Sequence, residues 1–426
     1  MPRVTHRLLL AVVAAIGVCA VAGMALLWPR APVAPVAPET EVQTTELLDA
    51  TLLAVETVEG ADVTGLLPGA TEVAISARID GTDDLVTFVT SDETGDTYRA
   101  GQRVRLAAIA SEGQPTTYYV SDFRREAPLA VLALLFVAAV VAFGRGQGVR
   151  ALVGLALTFA VIVGFMVPAL LAERNPVPVA IVGSLAIMVV TLYLSHGLSR
   201  KTTAAVVGTA VALLLTGALA VAFVSAASIT GFTSEDARLA NLQVGGLSLR
   251  GLLLAGIIVG GLGVLDDVTM SQSSIVFELY RANPRLGFAA LLRAALTVGR
   301  DHIAATVNTL FLAYAGASLP LLILFSTGVD PAGTILTSEI VAVEVVRTLV
   351  GSIGLIAAVP LTTVLAAALA VGEPREAVAA GRGGHTHVAS SPPPPEVEAV
   401  GPESGDEEWE DRLRHAYRLP PRGKRP

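Results

Sequence analysis

Residues 256–284 read GIIVGGLGVLDDVTMSQSSIVFELYRANP, and the first ten carry no charge. Extended back to Leu249 the apolar run is about 17 residues, close to the roughly 20 that a helix needs to cross a bilayer core about 30 Å thick. Gly256 and Gly260 form a GxxxG pair, which predicts that another helix comes close. Two adjacent carboxylates, Asp266 and Asp267, then end the run. If the helix continues past them, Asp267, Ser271, Ser274 and Glu278 recur at spacings of four, three and four. That lines up one polar stripe, with Val268, Ile275, Val276 and Leu279 largely on the other side. Acids and hydroxyls at a helix mouth suit cation or proton handling, because ionisable groups at membrane depth are costly and rarely idle. The same stripe equally suits a helix leaving the bilayer with its polar face in water.

Further apolar blocks surround this one. They lie at about 8–28, 127–143, 151–172, 178–195, 202–226, 303–326 and 339–371. Apolar residues make up 53% of the 426, charged residues only 15%, and the mean hydropathy is +0.65, which no soluble core explains. The expectation is a mainly α membrane protein of about eight transmembrane helices, with a small all-β extracytoplasmic domain after the first. An excess of Arg over Lys and abundant Ala, Val and Gly suggest a GC-rich bacterial genome, hence a bacterial cell membrane. The positive-inside rule gives the orientation. Arg3/Arg7, the loops at Arg145/Arg150, Arg200/Lys201 and Arg281–Arg300, and the arginines near the end fall on one side if all eight segments span. Glu173, Glu235/Asp236 and Asp330 fall on the other. Both termini are therefore expected in the cytoplasm.

Five parts follow along the chain. Residues 1–28 hold a cytoplasmic N-terminus and a signal-anchor helix. The run Leu8–Trp28 is longer than the usual apolar core of about 7–15 residues in a cleaved signal peptide, and it ends in Leu-Leu-Trp-Pro without an A-x-A-like site. Retention of this segment is expected over cleavage, with Trp28 in the interfacial aromatic belt. Residues 29–40 are a Pro-rich linker. Residues 41–126 change to short β-type runs, Glu72–Ile79, Leu85–Thr90, Val104–Ala110 and Thr116–Val120, among turn signals such as Asp80-Gly81, Thr94-Gly95-Asp96 and Glu112-Gly113. They read as an OB-like or SH3-like barrel of five or so strands. Residues 127–371 form a seven-helix membrane domain, and 372–426 a Pro-, Gly- and charge-rich tail expected to be disordered. His385 and His387 in that tail are expected to bind nothing. The lone Cys19 excludes an intramolecular disulfide and reads as a buried small hydrophobe.

Two more stretches carry polar groups at membrane depth. From Arg285 the chain reads RLGFAALLRAALTVGRDHIAATVNTLFLAYAGASLP. The part up to Val298 is too short to span and reads as an interfacial or re-entrant helix, with the next span opening at Arg300-Asp301-His302. Asp301 and Asn308 share one face; His302, Thr306 and Thr309 share another. His302 is a candidate proton relay, since histidine is the side chain suited to that role near neutral pH; alternatively Asp301 caps the helix beside Arg300. From Ser338 the chain reads SEIVAVEVVRTLVGSIGLIAAVPLTT. Glu344 and Arg347, at i and i+3, can pair, either as part of a site or as an internal brace. Gly351 and Gly354 permit close helix packing, and Pro360 can break the helix.

These stretches, GVLDDVTMSQSSIVFEL, GRDHIAATVNTLFLAYAGASLPLLILF and VVRTLVGSIGLIAAVPLTT, resemble the core segments of the YibE/F-like family of bacterial multi-pass membrane proteins. The resemblance covers roughly residues 120–372 and implies a permease-like protein. A transporter would bring Asp266, Asp267, Glu278, Asp301, His302, Glu344 and Arg347 to one water-accessible cavity for a small ion or solute. The alternative is a receptor or scaffold whose β domain binds a protein partner, with these charges scattered. No Walker A, GxSxG or HExxH motif is present, so no enzyme activity and no cofactor are expected. No basic groove with stacking aromatics accompanies the strands, which argues against nucleic acid.

Overall fold

The computed structural model describes residues 2–29, 44–58, 71–82, 84–92, 97–110, 116–233, 235–326 and 332–372. The Pro-rich linker, the turns at Thr94-Gly95-Asp96 and Glu112-Gly113, Asp330 and the segment with His385 and His387 lie outside them. The first helix is α1 (Pro2–Leu27). It packs on one side only. Ala20 is buried and Gly23 meets Val182, while Cys19, expected inside, is exposed on the unpacked side. Trp28 stacks on Phe165 with ring centroids 6.0 Å apart.

Five antiparallel strands follow: β1 (Thr44–Thr57), β2 (Thr71–Ile79), β3 (Leu85–Asp92), β4 (Arg103–Ala110) and β5 (Thr117–Phe123). Their order is β3-β2-β1-β4-β5. Alternate residues face the core, as a period of two requires: Val73, Ile75, Ala77 and Ile79 on β2, Val104 and Leu106 on β4. Long β1 pairs with both β2 and β4 and carries a bulge between Leu52 and Ala54. The bulge lets the sheet curl until β3 and β5 approach each other. The small all-β domain expected after the first helix is thus a curled five-stranded antiparallel sheet.

The helices then run α2 (Glu126–Val161), a π-helical turn (Ile162–Met166), α3 (Val167–Leu171), α4 (Pro176–His196), α5 (Arg200–Ala226), α6 (Glu235–Val244), α7 (Leu249–Ala282), α8 (Phe288–Ala317), α9 (Leu319–Ser326), α10 (Ala332–Thr337) and α11 (Glu339–Ala370). Side chains set several starts. Asn175 accepts from Val177 N, Ser199 from Thr202 N and Ser248 from Gly251 N. Among the described residues six runs are long and apolar enough to cross a membrane: Arg7–Leu27, Glu126–Leu171, Pro176–His196, Arg200–Ala226, Leu249–Ala282 and Glu339–Ala370. The 46-residue run Glu126–Leu171 is not one rod. Arg145 adopts φ 49°, ψ −130°, and a Cβ on Gly148 would collide with the carbonyl oxygen of Val140. In a straight helix those residues stand about 12 Å apart, so the chain doubles back between the blocks read at 127–143 and 151–172.

Helix α5 is the hub. It is buried without interruption from Thr202 to Ala210 and packs against α1, α4, α7 and α11. Two expectations are corrected here. The interfacial helix ending at Val298 and the span opening at Arg300 are one continuous helix, α8. Gly299 does not break it because the backbone there is clamped, with a Cβ at that position meeting Val359 at 2.8 Å and Gln272 Oε1 at 2.9 Å. Pro360 does not break α11 either. The carbonyl it leaves without a donor belongs to Ile356, which like Pro360 lies on the exposed face, while the inner face keeps its ladder.

Candidate functional site

Several polar residues of the helical region line two cavities, one at the middle of α7 and one at its start. The first, about 390 Å³, lies between the C-terminal half of α4 and the middle of α7. It is lined by Asp266, Asp267, Ser271 and Ser274 from α7 and by Thr191, Ser195 and His196 from α4. The predicted stripe therefore stays on a helix, because α7 runs unbroken through Asp266 to Ala282. Asp267 is exposed to the cavity, whereas Oδ1 of Asp266 is buried with no hydrogen-bond partner among the described residues. The Thr209 hydroxyl of α5 lies beside the Asp266 carboxylate and also bonds the Thr269 hydroxyl at 2.6 Å. No group of three or more His, Cys, Asp or Glu able to hold a metal occurs among the described residues.

The second cavity, about 480 Å³, lies between α6, the first turns of α7 and α11. Glu344 and Arg347 line it, paired through Nη2 and Oε1 at 3.5 Å, together with Thr233 and Asp236. Nε of Arg347 is buried and has no partner among the described residues. Glu339, the first residue of α11, is not among the residues that line it. Its carboxylate accepts the backbone N–H groups of Thr230 and Gly231, both at 2.7 Å, and the Thr230 hydroxyl.

Between the cavities runs a buried polar seam at the α5–α7–α11 interface. Gln272 donates to the Thr363 hydroxyl at 2.8 Å and to the Ala295 carbonyl at 3.1 Å, and Ser273 donates to the Lys201 carbonyl at 2.8 Å. Sequence reasoning passed over this seam, and over Thr191, Ser195 and His196. The signals were there: Thr202, Thr209 and Thr216 stand seven apart on α5, and Thr191 and Ser195 stand at i and i+4 on an otherwise apolar helix.

The remaining predicted residues stand apart. Glu278 pairs with Arg281 at 2.8 Å, and both side chains are exposed. Asp301 and Asn308 are exposed on the outer face of α8. His302 is half-buried, with Nε2 unpartnered among the described residues, and lines neither cavity. The charges thus form two groups, Asp266–Asp267–Ser271 and Glu344–Arg347, rather than one.

The glycines divide likewise. Gly354 does permit close packing, since a Cβ there would collide with the Thr216 hydroxyl of α5, whereas a Cβ on Gly351 would make only ordinary contact with Leu310 of α8, at 3.6 Å. Gly256 and Gly260 do not: nothing lies within 4 Å of a Cβ at either. The helices around α7 pack on its other faces, through Leu254, Ile258, Leu262 and Leu265, so the GxxxG side is left open. Gly256, Gly260, Gly263 and Asp267, at spacings of four, three and four, form one exposed stripe. It starts at the cavity of Arg347, which Gly256 lines, and ends at that of Asp267, which Gly263 lines.

The sequence pattern of a family described as YibE/F-like protein matches residues 132–372. No curated protein and no solved structure matches the chain.

Proposed function

The chain belongs to the YibE/F-like family, and on that footing we propose that it is a permease of a bacterial cell membrane, with a solute path along the open face of α7. Eight crossings serve this reading: α1, the two arms of the doubled-back run from Glu126 to Leu171, α4, α5, α7, α8 and α11. Helix α8 is less apolar than the others because Arg300, Asp301, His302 and Asn308 lie in it. In this reading both termini are cytoplasmic and the β domain lies outside, which the positive-inside rule supports. The observation that carries the proposal is the stripe Gly256–Gly260–Gly263–Asp267. It is side-chain-free over about 10 Å, with a charged cavity at each end. The glycines leave room for a narrow solute between the two cavities, and the exposed carboxylate of Asp267 at the end of the stripe calls for water beside it, because an ionised side chain at membrane depth faces a water-filled space or a partner. Asp266 and Asp267 would bind a cation or carry protons at one end, and Glu344 and Arg347 would meet the solute at the other.

The test uses the single cysteine. In a Cys19→Ser background, Gly260→Cys should react with a membrane-impermeant cationic thiol reagent, whereas Phe136→Cys on the lipid-facing arm should not. Equal inertness of the two would overturn the proposal.

A second reading, a receptor or scaffold, is favoured by one feature of the β domain. Among the described residues, edge strand β3 pairs with β2 alone, and it exposes Leu85 (70%) and Val89 (58%). Apolar side chains on an unpaired edge suit a protein partner.

A further inference from the structure

We infer that the cavity between α6, α7 and α11 binds an apolar α-amino acid in its zwitterionic form. The inference names a solute for the permease reading and rests on it.

The charge pattern comes first. A guanidinium has five N–H donors, and Arg347 commits one nitrogen, Nη2, to Glu344 at 3.5 Å. Nε is buried and closed to a solute, but the Arg347 side chain is 32% exposed and lines the cavity, so the outer edge of its guanidinium is open to a ligand. A guanidinium edge grips a carboxylate through parallel hydrogen bonds. A simple anion does not fit the rest of the cavity, because Glu344 and Asp236 both line it. One guanidinium against two carboxylates leaves a net charge of about −1, which a ligand carrying only negative charge would worsen. An ammonium group close to the ligand's carboxylate resolves this: the carboxylate goes to Arg347, the ammonium to Glu344 and Asp236.

The remaining wall is apolar. Leu252, Leu253, Ile340 and Val343 face the same space. The volume, about 480 Å³, falls within the 300–1,000 Å³ typical of small-molecule sites. A branched aliphatic side chain fills such a wall, and Gly256 keeps the entrance to the stripe clear.

The probes are L-leucine and its two half-analogues, 4-methylpentanoate without the ammonium and isopentylamine without the carboxylate. Binding of radiolabelled leucine to the detergent-purified full chain is measured by equilibrium dialysis, with the half-analogues as competitors. Leucine should bind saturably, and each half-analogue should compete at least ~30-fold more weakly, because either one leaves a charged group of the cavity unpaired. Arg347→Gln should weaken leucine binding ~30-fold or more on the same ground. Asp236→Asn, on an exposed helix where folding is not at stake, should narrow the preference for leucine over 4-methylpentanoate. Absence of saturable leucine binding overturns the inference, as does binding that Asp236→Asn and Arg347→Gln leave unchanged. If leucine is not bound but Gly260→Cys labels, the permease reading stands with another solute. Leucine binding with inert Gly260→Cys leaves the site and removes the path.

Discussion

The side-chain amide of Gln272 on α7 donates to the hydroxyl of Thr363 on α11 at 2.8 Å, and the Thr363 hydroxyl in turn donates to the Val359 carbonyl at 2.6 Å. With its second bond to Ala295, Gln272 ties three helices at one level. Yet Oε1 of the same amide is buried and unpartnered among the described residues. Gln272→Leu removes the orphan together with the bonds, and hydrogen bonds between membrane helices average about 0.6 kcal/mol. Its effect on stability should stay within about 1 kcal/mol. Gln272→Glu instead sets a carboxylate against the Ala295 carbonyl and should cost several kcal/mol unless it takes up a proton. Denaturant titration of the purified chain compares the two.

Glycines on opposite faces of the helices should respond in opposite ways. Gly354→Val drives a branched side chain into Thr216 of α5 and should cost about 1–3 kcal/mol. Gly260→Val meets nothing within 4 Å and should change stability by no more than about 0.5 kcal/mol. The permease reading adds that Gly260→Val blocks solute flux in proteoliposomes while leaving the fold intact.

Glu339 holds the segment at Thr230–Gly231 against the start of α11 through two backbone N–H groups. Gly231 has φ +85° there, and a Cβ would meet the Leu249 backbone at 2.7 Å, so this turn has little other freedom. Glu339→Ala should speed amide hydrogen exchange at residues 230 and 231, with a stability loss of about 1–2 kcal/mol. Unchanged exchange at those two amides would show that the turn is held without the carboxylate.

The Arg125 guanidinium donates to Asp122 at 2.6 Å, and the Phe123 N–H adds a bond at 2.8 Å; together they hold this exposed carboxyl below the usual range. A depressed acid keeps its ion pair above its ordinary pKa and loses it as pH falls through the lowered value. Carboxyl-carbon NMR should place the Asp122 midpoint below that of an unpaired Asp, and Arg125→Gln should move it up.

How legible the molecule was depends on the range of the interaction. Strands β2 to β5 and the long apolar helices follow from periodicity, which is local. Strand β1 was missed, because the bulge between Leu52 and Ala54 breaks its alternation. The end of a helix at Gly299 or Pro360 was also misjudged. Both residues weaken a helix locally, and at both the packing of α7, α8 and α11 outweighs that preference.

The sequence by itself determined that the chain is built of long apolar helices with a β insert, and that Asp266, Asp267, Glu344 and Arg347 are polar groups where such groups are costly. Hydropathy and charge belong to each residue and need no partner. Only the tertiary structure decided which groups meet. It separated Glu344 and Arg347 from the aspartates by some 15 Å of α7, and joined Thr209 to Thr269 and Gln272 to Thr363. It also left Gly256 and Gly260 with nothing among the described residues within 4 Å of where a Cβ would stand. The face a helix leaves open is set by where its neighbours pack, and that information is spread over residues a hundred or more positions away.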